Sequence, residues 1–431
     1  MKRTLLFFSL MFFSNGLLAN ADNAGEKGYE KYWVQYSDNG SLLFRHISAN
    51  DSKCPKIIVD KVDVQTIVRP HEYIEEFPVT VCQAEIDNQK PHNIVFKKLN
   101  IKTKISNINK ISVIGDSGCI TEGKILEQNC NRIEEYPFSE IAKNVQKMRP
   151  DIIVHVGDYF YSKDECINDD KCKKRPHGDR LDTWKVDFFD NAGQFFNDAP
   201  IVFARGNHEA CSRGGKGWFT LLDPSINFKK CQFFTTPYTI EFSKFRFLMI
   251  DSAYASDSEE KFNELSAADK ERTINQFNSQ INETFSRMDN DKENIIITHK
   301  PIFSKEFRPW QQGLEFEANY LMNKSIDNSE YRNNLKNLKL ILSGHTHTGM
   351  MIEYKDDGYH FYQAVIGNSG AFLNKANMLK STDTKVFDKK IVNFFEHKDF
   401  GYSELLFGKD GVVSRFKFFK YDGKLIKDSK I

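Results

Sequence analysis

The chain has 431 residues and a formal charge of +1 at pH 7. Hydrophobic residues make up 40% of it, enough for a packed core, which excludes an intrinsically disordered chain. With no basic excess, the charge balance gives no support to nucleic acid or an anionic membrane as a stable partner. The length allows two domains, or one large domain with an appendage.

Residues 1–21 read as a signal peptide. Lys2 and Arg3 form a basic start, Leu5 to Phe13 an apolar core, and Ala19-Asn20-Ala21 a small-x-small cleavage signal. The apolar stretch is short for a bilayer span, although an N-terminal anchor is the alternative reading. Removing it takes away two cations and no anions, which leaves the mature chain at −1. No later segment approaches a spanning length, so the expected location is secreted, periplasmic or extracellular. Eight cysteines fit that oxidising setting: Cys54, Cys82, Cys119, Cys130, Cys166, Cys172, Cys211 and Cys231. Nearest-neighbour pairing is the simplest of the many disulfide connectivities open to them. Asn39, Asn50, Asn282 and Asn323 sit in Asn-x-Ser/Thr sites, which matter only in a host that glycosylates. Oligomeric state has no sequence signature here.

Residues 22–105 carry short β-rich runs between polar turn clusters: Leu42–Phe44, Ile57–Val59, Val79–Val81 and Asn93–Phe96. They read as a small N-terminal β-domain without evident chemistry, since His46, His71 and His92 are scattered. From about 106 the pattern alternates. Strands are expected at Ile111–Ile114, Asp151–Val156, Pro200–Phe203, Phe245–Ile250, Asn294–Ile297 and Leu338–Leu342. Helices are expected at Phe138–Met148, ending before Pro150, and over the amphipathic stretch Ser258–Met288. From about 390 the tail again reads as strands, at Val412-Val413 and Phe416–Phe419. The implied fold is α/β, a layered α-β-β-α catalytic domain over 106–431. Ligands in such folds sit beyond the carboxyl ends of the strands.

Five motifs fall at those ends: Gly115-Asp116-Ser117-Gly118, Gly157-Asp158-Tyr159-Phe160-Tyr161, Gly206-Asn207-His208-Glu209, Thr298-His299 and Gly344-His345-Thr346-His347. Taken singly, each has an ordinary explanation. An Asp after Gly forms turns, a Tyr at a sheet edge packs, and a lone His is usually structural. Taken together they offer carboxylates, an amide oxygen, a phenol and imidazoles for two metal ions. His345 and His347 stand two apart, so on extended backbone both reach one side. Glu209 suits a supporting role rather than a ligand's.

The set resembles the calcineurin-like metallophosphoesterase superfamily and, within it, the purple acid phosphatases. That superfamily usually carries Asp-x-His in its first motif and Gly-Asp-x-x-Asp in its second. Here Gly118 stands where the His would be, and Tyr161 where the second Asp would be. Purple acid phosphatases show both departures together. The resemblance covers about residues 106–375. It implies that Asp116, Asp158, Tyr161 and His347 hold Fe(III), and that Asp158, Asn207, His299 and His345 hold a divalent Fe, Zn or Mn ion, with Asp158 bridging. His208 would be the catalytic proton donor to the leaving group. The implied activity is hydrolysis of small phosphate monoesters by hydroxide activated at the metals, an acid phosphatase. A phosphodiesterase or nucleotidase using two divalent ions is the nearer alternative, and an inactive binding protein on the same fold the more distant one. Plant-type members carry further histidines after the position of His299. This chain has none there, and Lys305 and Arg308 are the cations in reach of the same electrostatic work.

Overall fold

The apolar runs are strands in the structure, a computed structural model that describes residues 29–431 except 51, 122–127, 168, 173, 194, 229, 309–313, 318, 378 and 380–384. The segment read as a signal peptide lies outside the described residues. Strands β1 (Lys110–Ile114), β2 (Ile152–His155) and β3 (Ile201–Phe203) run parallel, side by side, in a ten-stranded sheet. Strands β4 (Phe245–Met249), β5 (Glu293–Ile297) and β6 (Leu338–Ser343) run parallel in an eight-stranded sheet. Nearly every residue of these six strands is buried, which explains continuous apolar runs in place of alternation.

The two sheets face each other. Val113, Val154 and Val202 of the first meet Phe247, Ile295 and Leu340 of the second in one apolar cluster. Helix α1 (Phe138–Met148) covers the outside of the first sheet, where Phe138, Ile141 and Val145 pack with Ile114, Ile153 and Trp184. Arg149 then turns left-handed at φ 51°, ahead of Pro150. Helices α2 (Ala267–Ser286) and α3 (Tyr320–Asn328) cover the second sheet through Phe277, Ile281, Phe285 and Leu321 against Leu248, Ile296 and Ile341. The layers are therefore α-β-β-α, as expected.

Two details differ from the sequence reading. The helix expected over 258–288 is broken into Glu259–Glu264 and α2, with Leu265 extended between them. Each piece starts on a serine cap: Ser258 Oγ accepts from the Lys261 amide and Ser266 Oγ from the Asp269 amide. The second serine competes with helix continuation for that amide, which is why the helix restarts there. In addition, β-rich residues before 105 are shared between two sheets. Glu30–Tyr36, Leu42–Ala49 and Val79–Ile86 extend the ten-stranded sheet, the first of them parallel to β3. Lys56–Val59, Val62–Gln65, Asn93–Phe96 and Leu99–Lys102 form a separate four-stranded sheet. At the other edge, Gly401–Phe407 pairs antiparallel with β1, followed by Val413–Lys420 and Leu425–Lys430.

The cysteines pair as nearest neighbours, Cys54–Cys82, Cys119–Cys130, Cys166–Cys172 and Cys211–Cys231. Among the described residues no helix is long and apolar enough to cross a membrane.

Candidate metal centre

Strands β1, β2, β3, β5 and β6 are parallel within their sheets, and the loops that leave their carboxyl ends converge between the two sheets. Each loop must turn sharply, and the backbone records it. Asp116, Asp158, His345 and His347 adopt φ of 53°, 60°, 73° and 53°. Left-handed backbone costs a non-glycine residue roughly 1–2 kcal/mol, so four such residues around one point are strain held by the surrounding fold. Gly344 lets His345 and Asp116 meet: a Cβ there would collide with Asp116 Oδ2, and the His345 amide donates to both Asp116 oxygens at 3.1 and 3.0 Å.

Around Asp116 the donors crowd. The Tyr161 hydroxyl lies 3.2 Å from Asp116 Oδ1, 3.1 Å from Asp158 Oδ2 and 3.0 Å from His347 Nε2. His347 Nε2 is 3.4 Å from Asp116 Oδ1. Burial, together with Asp116 and Asp158, pushes the Tyr161 phenol well above its ordinary range. Three oxygen acids facing one another are costly unless a cation joins them. Gly118 makes the arrangement possible, because a Cβ at that position would sit 2.6 Å from the Tyr161 ring.

On the other side of Asp158, His299 Nε2 lies 3.1 Å from Asp158 Oδ2 and 3.0 Å from Asn207 Oδ1. Its Nδ1 donates to the Val156 carbonyl at 2.9 Å, which aims Nε2 into the site. Burial opposes charge on His299, but Asp158 outweighs it and lifts the ring to about 9. Burial likewise opposes charge on Asp158, yet His299 and His208 hold that carboxyl well below its usual range. Two sets of donors have ligand atoms within 4.8 Å of one another: Asp116, Asp158 and His347, and Asp158, His299 and His345. Asp158 belongs to both, while His345 and His347 fall to different sets.

His208 stands beside these sets. Its ring lies tilted against Tyr161 with centroids 3.8 Å apart, and its Nε2 is 3.9 Å from Asp158 Oδ2. Nδ1 lies 2.8 Å from an Arg213 nitrogen and 3.0 Å from the Phe160 carbonyl. An arginine only donates and a carbonyl only accepts, so the two contacts belong to different tautomers. Burial and Arg213 push His208 well below its ordinary value. Glu209 is buried and accepts from the amides of Asp158, Tyr159, Phe160 and Gly206, binding the second and third motifs to each other. Burial and Asp158 raise it to about 8.

Several contributors went unread in the sequence. Asp187 accepts from the amides of Tyr161 and Ser162, both at 2.8 Å, and pairs with Arg175 at 2.7 Å, anchoring the tyrosine loop. Arg213, Asp257 and Lys300 also reach the site. None stands in a motif, and only Lys300 had a local cue, as a lysine directly after His299. Lys305 opens a hairpin strand, Lys305–Arg308, and is half-buried, while the side chain of Arg308 lies outside the described residues.

Residues 110–349, which include all five motifs, match the family described as calcineurin-like phosphoesterase. The chain belongs to this family. No curated protein matches it. Among solved structures it is similar to a purple acid phosphatase from yellow lupin (Lupinus luteus) seeds. The TM-score is 0.60 at 14% identity, over 93% of this chain and 74% of the lupin chain. A second similar structure, GAP50, the anchor in the inner membrane complex of Plasmodium, has a TM-score of 0.44 at 18% identity, over 75% of this chain and 88% of that chain. The lupin enzyme and this protein thus share the layered fold of a metal-using phosphoesterase. The donor set fits metal ions: hard oxygen donors and imidazoles converge, with a carboxylate common to both sets.

Proposed function

We propose that this protein is an exported acid phosphatase that hydrolyses small phosphate monoesters with two unlike metal ions, in the manner of purple acid phosphatases. The observation that carries the reading is the Tyr161 hydroxyl, set among Asp116, Asp158 and His347 in the space that Gly118 leaves open. A phenol set among two carboxylates and an imidazole would suit a strongly acidic ion such as Fe(III). Asp116, Asp158, Tyr161 and His347 would hold it. Asp158, Asn207, His299 and His345 would hold a divalent Fe, Zn or Mn ion. When bound, the pair of ions neutralises phosphate oxygens and makes hydroxide available below neutral pH.

The chain's own residues do the rest. The left-handed loops and Glu209 fix the carboxylates before substrate arrives, so little reorganisation is left for the reaction. His208 donates a proton to the leaving alkoxide or stabilises it by a hydrogen bond. With Arg213 donating to Nδ1, the remaining proton sits on Nε2, on the side facing Asp158. Arg213 also brings a fixed positive charge to the place where the leaving oxygen gains negative charge. Four disulfides favour an oxidising compartment, in keeping with export.

The test is hydrolysis of p-nitrophenyl phosphate and of bis(p-nitrophenyl) phosphate at acid and neutral pH, with metal analysis of the same sample. Monoesterase activity in acid, with iron and colour, is expected. Preference for the diester with two divalent ions and no colour would replace this reading with a phosphodiesterase, and inactivity of the fully metallated protein would end it.

A further inference from the structure

We propose that Asp257 is a positioning residue for the divalent-ion side alone, and that Lys300 cancels its charge. This inference rests on the two-metal reading above. Asp257 and Lys300 are 5% and 6% exposed, so each ion is almost wholly withdrawn from water. Lys300 Nζ lies 2.7 Å from Asp257 Oδ1 and donates to the Ala255 carbonyl at 2.7 Å. The same Oδ1 lies 3.2 Å from His345 Nε2. One carboxylate oxygen therefore lies against both a buried ammonium and Nε2 of a candidate ligand ring.

Burying a lysine and an aspartate is expensive, and a well-packed apolar pair would often be as stable, so a built pair calls for a use. The use is given by what it touches. A ligating imidazole works best when its second nitrogen is held by a carboxylate, which fixes the ring and its tautomer. With Asp257 on Nε2, His345 is left to offer Nδ1. Lys300 follows His299 in the chain, and its amide donates to Ser252 Oγ at 2.8 Å, an oxygen that also accepts from Thr298 at 2.9 Å. The network thus grips both histidines of one set, His345 by its ring and His299 through its backbone. Asp116, Tyr161 and His347 take no part in these contacts.

The charge balance gives the pair its selectivity. A bare carboxylate behind His345 would add negative charge to that side and favour a more highly charged ion. Lys300 offsets it from within the core, with the more exposed Lys261 3.6 Å from the other oxygen, so the ring is oriented while the side stays suited to a divalent ion.

The experiment uses the mature, metal-loaded protein, with two readouts: the divalent metal retained against a chelator, and the visible absorption of the tyrosine–iron pair. Asp257→Ala is expected to weaken divalent binding about 10–100-fold while the absorption band stays. Because that variant strands Lys300, the double variant Asp257→Leu/Lys300→Met is measured alongside it, with folding checked by circular dichroism. It should fold, keep the band and lose the divalent ion as readily. Retention of both metals by either folded variant overturns the inference and leaves the phosphatase reading intact. Loss of both metals from a folded double variant also overturns it, because Asp257 would then support the whole centre. A wild-type protein that does not bind two unlike metals removes the phosphatase reading and this inference together.

Discussion

Around Asp116, Tyr161 and His347 the donors include two carboxylates, counting Asp158, and a phenol. Around Asn207, His299 and His345 the shared Asp158 is the one acidic donor, and the rest are an amide and two imidazoles. Both sides stand on equivalent loops, each one the exit of a buried parallel strand. The difference shows that this scaffold decides where donors converge, while the identity of a few side chains decides how much charge the convergence tolerates. On the first side, burial and the carboxylates push the phenol well above its ordinary range. On the second, Asp158 favours a charged His299, and the other donors need no charge.

The sharpest way to break this comparison is to remove what the two sides share. Asp158→Ala should release both ions, with activity falling by about 10³-fold or more as the two-metal clamp is lost. Metal analysis and a monoester assay check it together, and full activity in that variant would refute a shared carboxylate. Next comes His208, adjacent to both sides and a ligand of neither in the proposed reading. His208→Ala should keep both metals and slow turnover by about 10²-fold or more, the usual worth of a positioned acid. Loss of metal would instead make His208 a ligand. Tyr161→Phe tests one side only: the visible band should vanish and iron should bind more weakly, while the divalent ion stays.

The last prediction concerns stability rather than activity and lies outside both sides. His397 is buried beside Gly349, tilted against Phe395 and edge-on to Phe418, and burial lowers it from 6.5 to about 4. The unfolded chain protonates this ring below its ordinary value while the folded chain does not. Stability should therefore fall as pH drops from 6.5 towards 4 and level off below, by an amount on the order of 3 kcal/mol. His397→Gln should flatten that limb of a melting-temperature profile without altering metal content. An unchanged profile would show that other groups dominate acid stability.

What could be read in the sequence divides along similar lines. The five motifs were legible because each follows an apolar run, and strand ends are where a sheet delivers ligands. Gly118 and Tyr161 were legible as a pair because each departs from the family pattern in a way the other explains. Asp257, Arg213 and Asp187 were not legible. Arg213 lies only five residues past His208 but stands in no motif, while Asp257 and Asp187 meet His345 and Tyr161 from other parts of the chain, and no local pattern marks a residue for a distant contact. The parallel pairing of Glu30–Tyr36 with β3 was hidden for the same reason. The break at Ser266 was readable in principle, since a serine three residues before an aspartate is a start signal inside an otherwise helical period.

Gly118 also constrains the order in which such a site could have arisen. A side chain at 118 and the ring of Tyr161 compete for one volume, so a histidine-first ancestor could not gain the tyrosine while keeping its histidine. The small residue had to come first, or both changes together. Reversal meets the same barrier, since Gly118→His would strike the ring and the Tyr159 carbonyl, each 2.6 Å from the new Cβ. Positions 118 and 161 are thereby tied by sterics, so that neither can change freely without the other.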